Sequence, residues 1–307
     1  MPGDDRPQVV ILSDGKPGHL NQSLAFAKLL GYSWQVRQVA FKNRLCKALS
    51  YLADRMGLQL SGLFRLEGEV AGVCAVVSAG SETYYANKVL ARRLQVPAVA
   101  IMLPRGYRYD FELIVAQQHD RPPRRSNILV LPVNLSCVEP QGLVGRAGER
   151  PCVALIVGGP SRHFVMDADR LREQVARIFA LFPEADLLLT TSRRTPREVE
   201  AMLEALPFRY RVIYSQQPIN PIPDFLAISD YVFVTEDSTS MISEAVCFGH
   251  ASVEVLPLPG TSARNKVGAM VADLADRGCL HLFDGSLGNC HRKLDLRREL
   301  ARVRPCG

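Results

Sequence analysis

Four short stretches of this chain place small residues, hydroxyls and cationic or imidazole side chains where an apolar run gives way to a helical pattern. The first is Ser13-Asp14-Gly15-Lys16-Pro17-Gly18-His19-Leu20-Asn21. Histidine titrates near neutrality, so His19 suits general-base work, with Asp14 as the other candidate base. Lys16, Gly18 and Asn21 then become candidate substrate contacts. A histidine that merely caps the helix is the structural alternative. Arg105, in Pro104-Arg105-Gly106-Tyr107, and His119, in Gln117-Gln118-His119-Asp120, also follow apolar runs; they read as acceptor contacts or as ordinary turns.

The other three stretches lie in the second half. Gly158-Gly159-Pro160-Ser161 reads as a diphosphate cradle of backbone N–H groups and a hydroxyl, or as a tight turn with a cap. Asp167 and Asp169 just beyond it read as capping and dipole-compensating residues, not as a metal pair. In Thr190-Thr191-Ser192-Arg193-Arg194-Thr195-Pro196, Thr195 is the expected N-cap and Pro196 the first helical residue. Arginine opposes the dipole at a helix start, so at least one of Arg193 and Arg194 is expected to meet a diphosphate. In Glu236-Asp237-Ser238-Thr239-Ser240-Met241, Ser238, Ser240 and the adjoining Met241 are placed for phosphate contact. Glu244 follows one turn beyond Ser240 and can accept both hydroxyl protons of a ribose, or form a surface ion pair.

The elements that must position these residues alternate. Apolar runs at 9–12, 73–77, 98–101, 113–115 and 128–131 read as strands, with helical spacing at 20–30, 44–56 and 84–94 between them. The stretch 134–150 holds Pro140, Gly142, Gly145 and Gly148 without periodicity and reads as a linker. The second half continues with strands at 153–157, 186–190, 211–213, 231–235 and 252–255 and helices at 168–182, 196–206, 224–228, 240–248 and 266–277. This is an α/β chain of two doubly wound Rossmann-type domains facing a cleft. The first domain covers 1–140, the second 150–290, and a basic tail covers 291–307. Right-handed crossovers bring the loops 158–164, 191–196, 236–240 and 257–266 to one sheet edge, where a ligand crevice is expected.

The chain of 307 residues is 47% hydrophobic and 22% charged, which suits two cores. Residues 70–80, the longest weakly polar stretch, are too few to span a bilayer, and residues 1–5 lack the pattern of a signal peptide. A cytoplasmic protein is expected. None of the eight cysteines forms a Cys-x-x-Cys pair, and Cys74, Cys152 and Cys247 read as reduced core thiols. Of 37 basic residues 30 are Arg, and the net charge is +6. Planar guanidinium forks suit anionic small molecules, an anionic membrane surface or nucleic acid. The stretch 292–304 sets Arg297, Arg298 and Arg302 among leucines, either as a helix on the inner face of the membrane or as a solvated face docked by its leucines.

Taken together, SDGKPGHLNQS, PRGYRYDFELIVAQQHD, GGPSRHF, TSRRTP and FVTEDSTSMISEA resemble the mitochondrial-fission-factor-like family of plants and proteobacteria, described as glycosyltransferases of the GT-B fold. The last motif also resembles the nucleotide-sugar site of the bacterial enzyme that adds N-acetylglucosamine to lipid-linked muropeptide. That resemblance implies that Ser240 meets a diphosphate and Glu244 a ribose. His19 after Gly18 is similar to the Gly-Gly-His loop of that class, with Lys16 and Pro17 set within the pattern here. The implied activity moves a sugar from a nucleotide diphosphate sugar to an unknown acceptor, conceivably of the cell envelope, with no metal or other cofactor and no nucleic acid partner. The plant relatives imply a non-catalytic adaptor as the alternative, and a nucleotide-sugar epimerase is a third reading.

Overall fold

In β1 (Gln8–Ser13) the run Val9, Val10, Ile11 and Leu12 is shielded from solvent, and a short loop leads from it into α1 (Pro17–Leu30). The helix stops at Gly31, whose φ of 75° is open to glycine and costly for other residues; its N–H and that of Tyr32 close on carbonyls of the last turn. These are the first elements of a computed structural model that describes residues 6–260 and 266–306.

The chain then runs through β2 (Ser33–Phe41), α2 (Arg44–Arg55), β3 (Phe64–Leu66), β4 (Ala75–Ala79), α3 (Tyr84–Leu94), β5 (Ala98–Ile101), β6 (Leu113–Gln117) and β7 (Ile128–Leu131). Their sheet has the order β3-β2-β1-β4-β5-β6-β7. Every pairing is parallel except β2 with β3. Apart from β3, then, the strand C-termini share one edge. Neither β2 nor β3 was expected from the sequence.

The second sheet is built from β8 (Cys152–Ile156), α4 (Ala168–Leu181), β9 (Asp186–Thr190), α5 (Arg197–Glu204), β10 (Tyr210–Val212), α6 (Ile222–Ile228), β11 (Tyr231–Thr235), α7 (Thr239–Cys247), β12 (Ser252–Leu256), α8 (Lys266–Asp276) and β13 (His281–Leu282). Its order is β10-β9-β8-β11-β12-β13, parallel throughout. Leu155, Leu171, Val175, Leu189 and Phe233 lie in its core. Both sheets are doubly wound and reverse direction beside their first strand, between β1 and β4 and between β8 and β11. Such a switch point leaves a gap between diverging loops, where ligands bind in this architecture.

The chain divides into two compact units: residues up to Cys137 together with those from Asp295 onward, and Val138–Leu294. The segment expected to be a basic tail over 291–307 is therefore not separate. Its helix, α9 (Leu296–Leu300), packs on α1 with Leu296 and Leu300 buried, while Arg297, Arg298 and Arg302 face solvent. Docking by the leucines removes the apolar face that a membrane-lying helix needs. Cys306 beyond it forms a disulfide with Cys74, 232 residues away, which corrects the expectation that Cys74 is a reduced thiol. Cys152 and Cys247 are not joined in a disulfide, as expected.

Candidate functional site

In the first unit, chemistry gathers at the switch point. His19 is the third residue of α1, and its Nδ1 lies 2.9 Å from Oδ2 and 3.2 Å from Oδ1 of Asp14, at the end of β1. The Asp14 carboxylate is buried and also accepts the backbone N–H of Lys16, with the Lys16 ammonium at 3.3 Å. Burial pushes the Asp14 carboxyl upward, but the hydrogen bond and charge of His19, with the Lys16 contacts, outweigh it and hold it below the ordinary value. An ionised carboxylate can only accept, so it fixes the proton of a neutral imidazole on Nδ1 and leaves the lone pair on Nε2.

Gly80, directly after β4, makes this arrangement possible. Its φ is 91°, and a Cβ there would lie 2.3 Å from His19 Nδ1. Gly80 is not among the expected site residues, although a glycine three residues after the apolar run 73–77 is a usable signal. Lys16, Gly18 and Asn21 are exposed around the histidine. Arg105, after β5, donates to the carbonyl of Asp120 at 3.1 Å and pairs with its carboxylate at 3.3 Å. His119 sits in the same turn, 118–120. Gln117, at the end of β6, donates to Gln22 of α1 at 3.1 Å and ties that turn to the helix carrying His19.

In the second unit the glycine loop and the hydroxyl loop meet across the other switch point. Gly158 donates its N–H to Thr235 Oγ1 at 2.8 Å, and Gly159 donates to Asp237 Oδ2 at 3.0 Å. Thr235 donates onward to Asp237 Oδ1 at 2.7 Å. Arg194 pairs with Asp237 Oδ2 at 2.7 Å and donates to the carbonyls of Gly159 and Pro160. The Asp237 side chain is wholly buried. A Cβ on Gly158 would stand 2.3 Å from its carboxylate, and one on Gly159 would stand 2.2 Å from the Arg194 carbonyl.

The anion that the Gly159 N–H meets is thus a side chain of the protein itself, and the Gly158 N–H meets the Thr235 hydroxyl. Gly158, Gly159 and Arg194 were expected to offer free donors to a diphosphate; their N–H and guanidinium groups are instead taken up by this internal network. Ser161 likewise accepts the N–H groups of His163 and Phe164, both at 3.2 Å, and shapes its own turn. Thr195 is not the N-cap of α5. It donates to the Gly158 carbonyl at 2.5 Å, Pro196 takes the cap position and Arg197 starts the helix. Asp167 caps α4 as expected, accepting from Asp169 and Arg170. Asp237 carries no local signal of this role, because its partners lie 43 and 78 residues away.

The same edge carries the start of α7 and, in the loop after β9, Arg193 next to Arg194 in the chain. Ser238 caps α7 and accepts from Met241 N–H at 3.4 Å. Ser240 is exposed in the first turn, where backbone N–H groups lack intrahelical acceptors. Arg193 is exposed, and no partner holds it among the described residues. The side chain of Glu244, four residues after Ser240, is partly buried, and its carboxylate has no hydrogen-bond or ionic partner among the described residues. Burial alone pushes its carboxyl from 4.5 to about 7. The loop after β12 joins this edge through Val165 N–H to Pro259 O at 2.8 Å and a bridge between Phe164 and Gly260; its remainder, 261–265, lies outside the described residues.

Among solved structures, the S. aureus MnaA–UDP co-structure is similar with a TM-score of 0.51 and 14% identity, covering 96% of this chain and 95% of that one. CalG4, the calicheamicin glycosyltransferase, is similar with a TM-score of 0.50 and 13% identity, covering 97% and 89%. A. baumannii MurG aligns at 0.46 with 16% identity, covering 97% and 93%. At these identities the likeness concerns the fold, which is that of GT-B glycosyltransferases with two Rossmann-like sheets. No curated protein matches the chain. The family model for Mitochondrial fission ELM1 matches residues 17–303, a span holding both α1 with His19 and α7 with Glu244. The chain belongs to the Mitochondrial fission ELM1 family.

Proposed function

We propose that this protein transfers a sugar from a nucleotide diphosphate sugar to an acceptor hydroxyl. The observation that carries the reading is Glu244: a carboxylate partly withdrawn from water, with no partner of its own, one turn into a helix whose N-terminus faces the switch point of a doubly wound sheet. A half-buried acceptor without a donor is underused, and two vicinal ribose hydroxyls would satisfy it. UDP in the S. aureus MnaA co-structure is consistent with this class of ligand on this fold.

In this reading Ser240, the first N–H groups of α7 and Arg193 meet the diphosphate, with Ser238 and Met241 shaping that turn. Gly159 and Arg194 hold the neighbouring loop through Asp237, Gly158 through Thr235, and Ser161 shapes the glycine loop's own turn. Charge that develops on the departing diphosphate is stabilised by those donors. The first unit supplies the base: His19 Nε2 takes the proton as the acceptor oxygen bonds to the anomeric carbon and the nucleotide diphosphate leaves. Asp14 orients the imidazole and stabilises its charged form. Lys16, Gly18, Asn21, Arg105 and His119 surround the acceptor, for which a cell-envelope component is the favoured class.

The test is a thermal-shift screen of the purified chain against UDP, GDP, CMP, dTDP and their sugars, repeated with Glu244→Ala. A selective shift that the variant loses supports the donor site and names the nucleotide. If no nucleotide shifts the wild type, the donor reading fails and an adaptor role takes its place. Isomerised sugar formed without an acceptor would mark an epimerase.

A further inference from the structure

The amphipathic character of α2 runs opposite to that of a helix packed on a core. Its inward residues are Ser50, Ala53 and Asp54. Ser50 Oγ lies 2.9 Å from the Tyr107 hydroxyl. Asp54 accepts the Lys88 ammonium at 2.7 Å and the Arg108 backbone N–H at 2.6 Å. Its outward residues are Leu45, Leu49, Leu52 and Met56, which are 67%, 42%, 55% and 66% exposed. Steps of four, three and four residues put them on one narrow stripe. Leu58 and Leu60, each 46% exposed, follow in the chain after the helix. Scattered single exposed leucines are ordinary, whereas four apolar side chains on one stripe mark an interaction surface.

The exposed charges on α2 and just before it have one sign. Lys42, Arg44 and Arg55 are exposed, and the one carboxylate of α2, Asp54, is turned inward and neutralised. No aromatic side chain joins the apolar stripe, although aromatic anchors are enriched at the centres of protein interfaces. Flexible aliphatic side chains bordered by cations match a fluid apolar layer beneath anionic headgroups.

We propose that α2 is a membrane-docking helix that lies flat on bilayers containing anionic phospholipid. Leu45, Leu49, Leu52 and Met56 enter the acyl boundary, while Lys42, Arg44 and Arg55 meet headgroup phosphates. This surface is separate from α9, whose leucines are buried, and it needs neither Glu244 nor His19.

The test is co-sedimentation of the full chain with vesicles of phosphatidylcholine alone or mixed with phosphatidylglycerol, at low and high salt. The wild type is expected to pellet with the mixed vesicles, less at high salt, and to stay in solution with phosphatidylcholine alone. Leu49→Ser with Leu52→Ser is expected to weaken binding about tenfold or more. These side chains project outward, so the melting temperature should hold; if it falls, Arg44→Ala with Arg55→Ala carries the test and should remove the dependence on phosphatidylglycerol. A wild type that never pellets overturns the proposal, as does a charge variant that binds mixed vesicles as the wild type does. Sizing chromatography covers the remaining occupant: a dimer that the serine variant converts to monomer, without vesicle binding, would assign the stripe to a second copy of the chain.

Discussion

His19 Nδ1 and Asp14 Oδ2 stand 2.9 Å apart, with the carboxylate buried and the imidazole one-quarter open to solvent. An acid–base pair positioned in this way loses function when either partner changes, but for different reasons. His19→Ala removes the proposed base, and release of nucleotide diphosphate is expected to fall about 10²–10⁴-fold. Asp14→Asn keeps the shape but lets the imidazole adopt the wrong tautomer, with a similar loss in rate and unchanged affinity for the nucleotide. A His19→Ala protein that releases nucleotide diphosphate at the wild-type rate would place the proposed base elsewhere.

Gly80→Ala is the steric counterpart. The new methyl would occupy the space of the His19 ring, at a backbone φ that alanine tolerates poorly. Activity is expected to fall as in His19→Ala while nucleotide-induced thermal shifts persist, since donor binding is assigned to the other unit.

Glu244 should separate stability from binding. Its carboxyl, raised from 4.5 to about 7 by burial, holds its proton more tightly in the folded chain than in the unfolded one. Stability is therefore lost as pH rises through that window, and the loss is complete above about 7. Glu244→Gln removes the effect and is expected to stabilise the protein by about 2 kcal/mol at pH 8 and by little at pH 4, measured by urea unfolding. Affinity for the nucleotide moves the other way. The ionised form accepts two hydroxyls, so wild-type binding strengthens as pH rises through about 7, and Glu244→Gln weakens it about 10–100-fold. A pH-independent affinity in the wild type would contradict the ribose assignment.

Asp237→Ala leaves the Arg194 guanidinium, the Gly159 N–H and the Thr235 hydroxyl without their common acceptor, at a buried position. A loss of about 3–5 kcal/mol in unfolding free energy is expected. Gly159→Ala should also destabilise, because its Cβ would meet the Arg194 carbonyl. If Asp237→Ala retained full stability while losing only nucleotide binding, the carboxylate would belong to the ligand site and not to the scaffold.

The Cys74–Cys306 disulfide ties a segment before β4 to the end of α9. Reductant is expected to lower the unfolding free energy of the oxidised wild type by about 2–4 kcal/mol and to leave Cys306→Ser unmoved. Equal sensitivity of both proteins to reductant would show that the bond does not form.

Much of the fold was legible because most strands are buried on both faces and read as short apolar runs. Residues 98–101, 128–131, 186–190 and 231–235 coincide with β5, β7, β9 and β11. β2 escaped notice because Ser33–Phe41 interleaves Gln35, Arg37 and Gln38 with its apolar residues, only Val39 among its nine being fully buried. β13 is two residues long, below any periodicity. Local chemistry was also readable: the Asp167 cap is decided within a few residues. The Asp237 network is not local, since its glycines and arginine arrive from loops after β8 and β9. Motif reading saw two glycines and supplied an external anion, whereas the tertiary fold supplied its own. The stripe on α2 was legible as helical spacing, but its outward direction was not, because the usual inference points the apolar face inward.

The return of α9 to the first unit also sets an order of events during synthesis. The second unit, Val138–Leu294, leaves the ribosome complete while the first still waits for its final segment, and only when Leu296, Leu300 and Cys306 emerge can α1 be covered and the disulfide close. The nascent first unit, with its histidine already in place on α1, therefore matures last although it is made first.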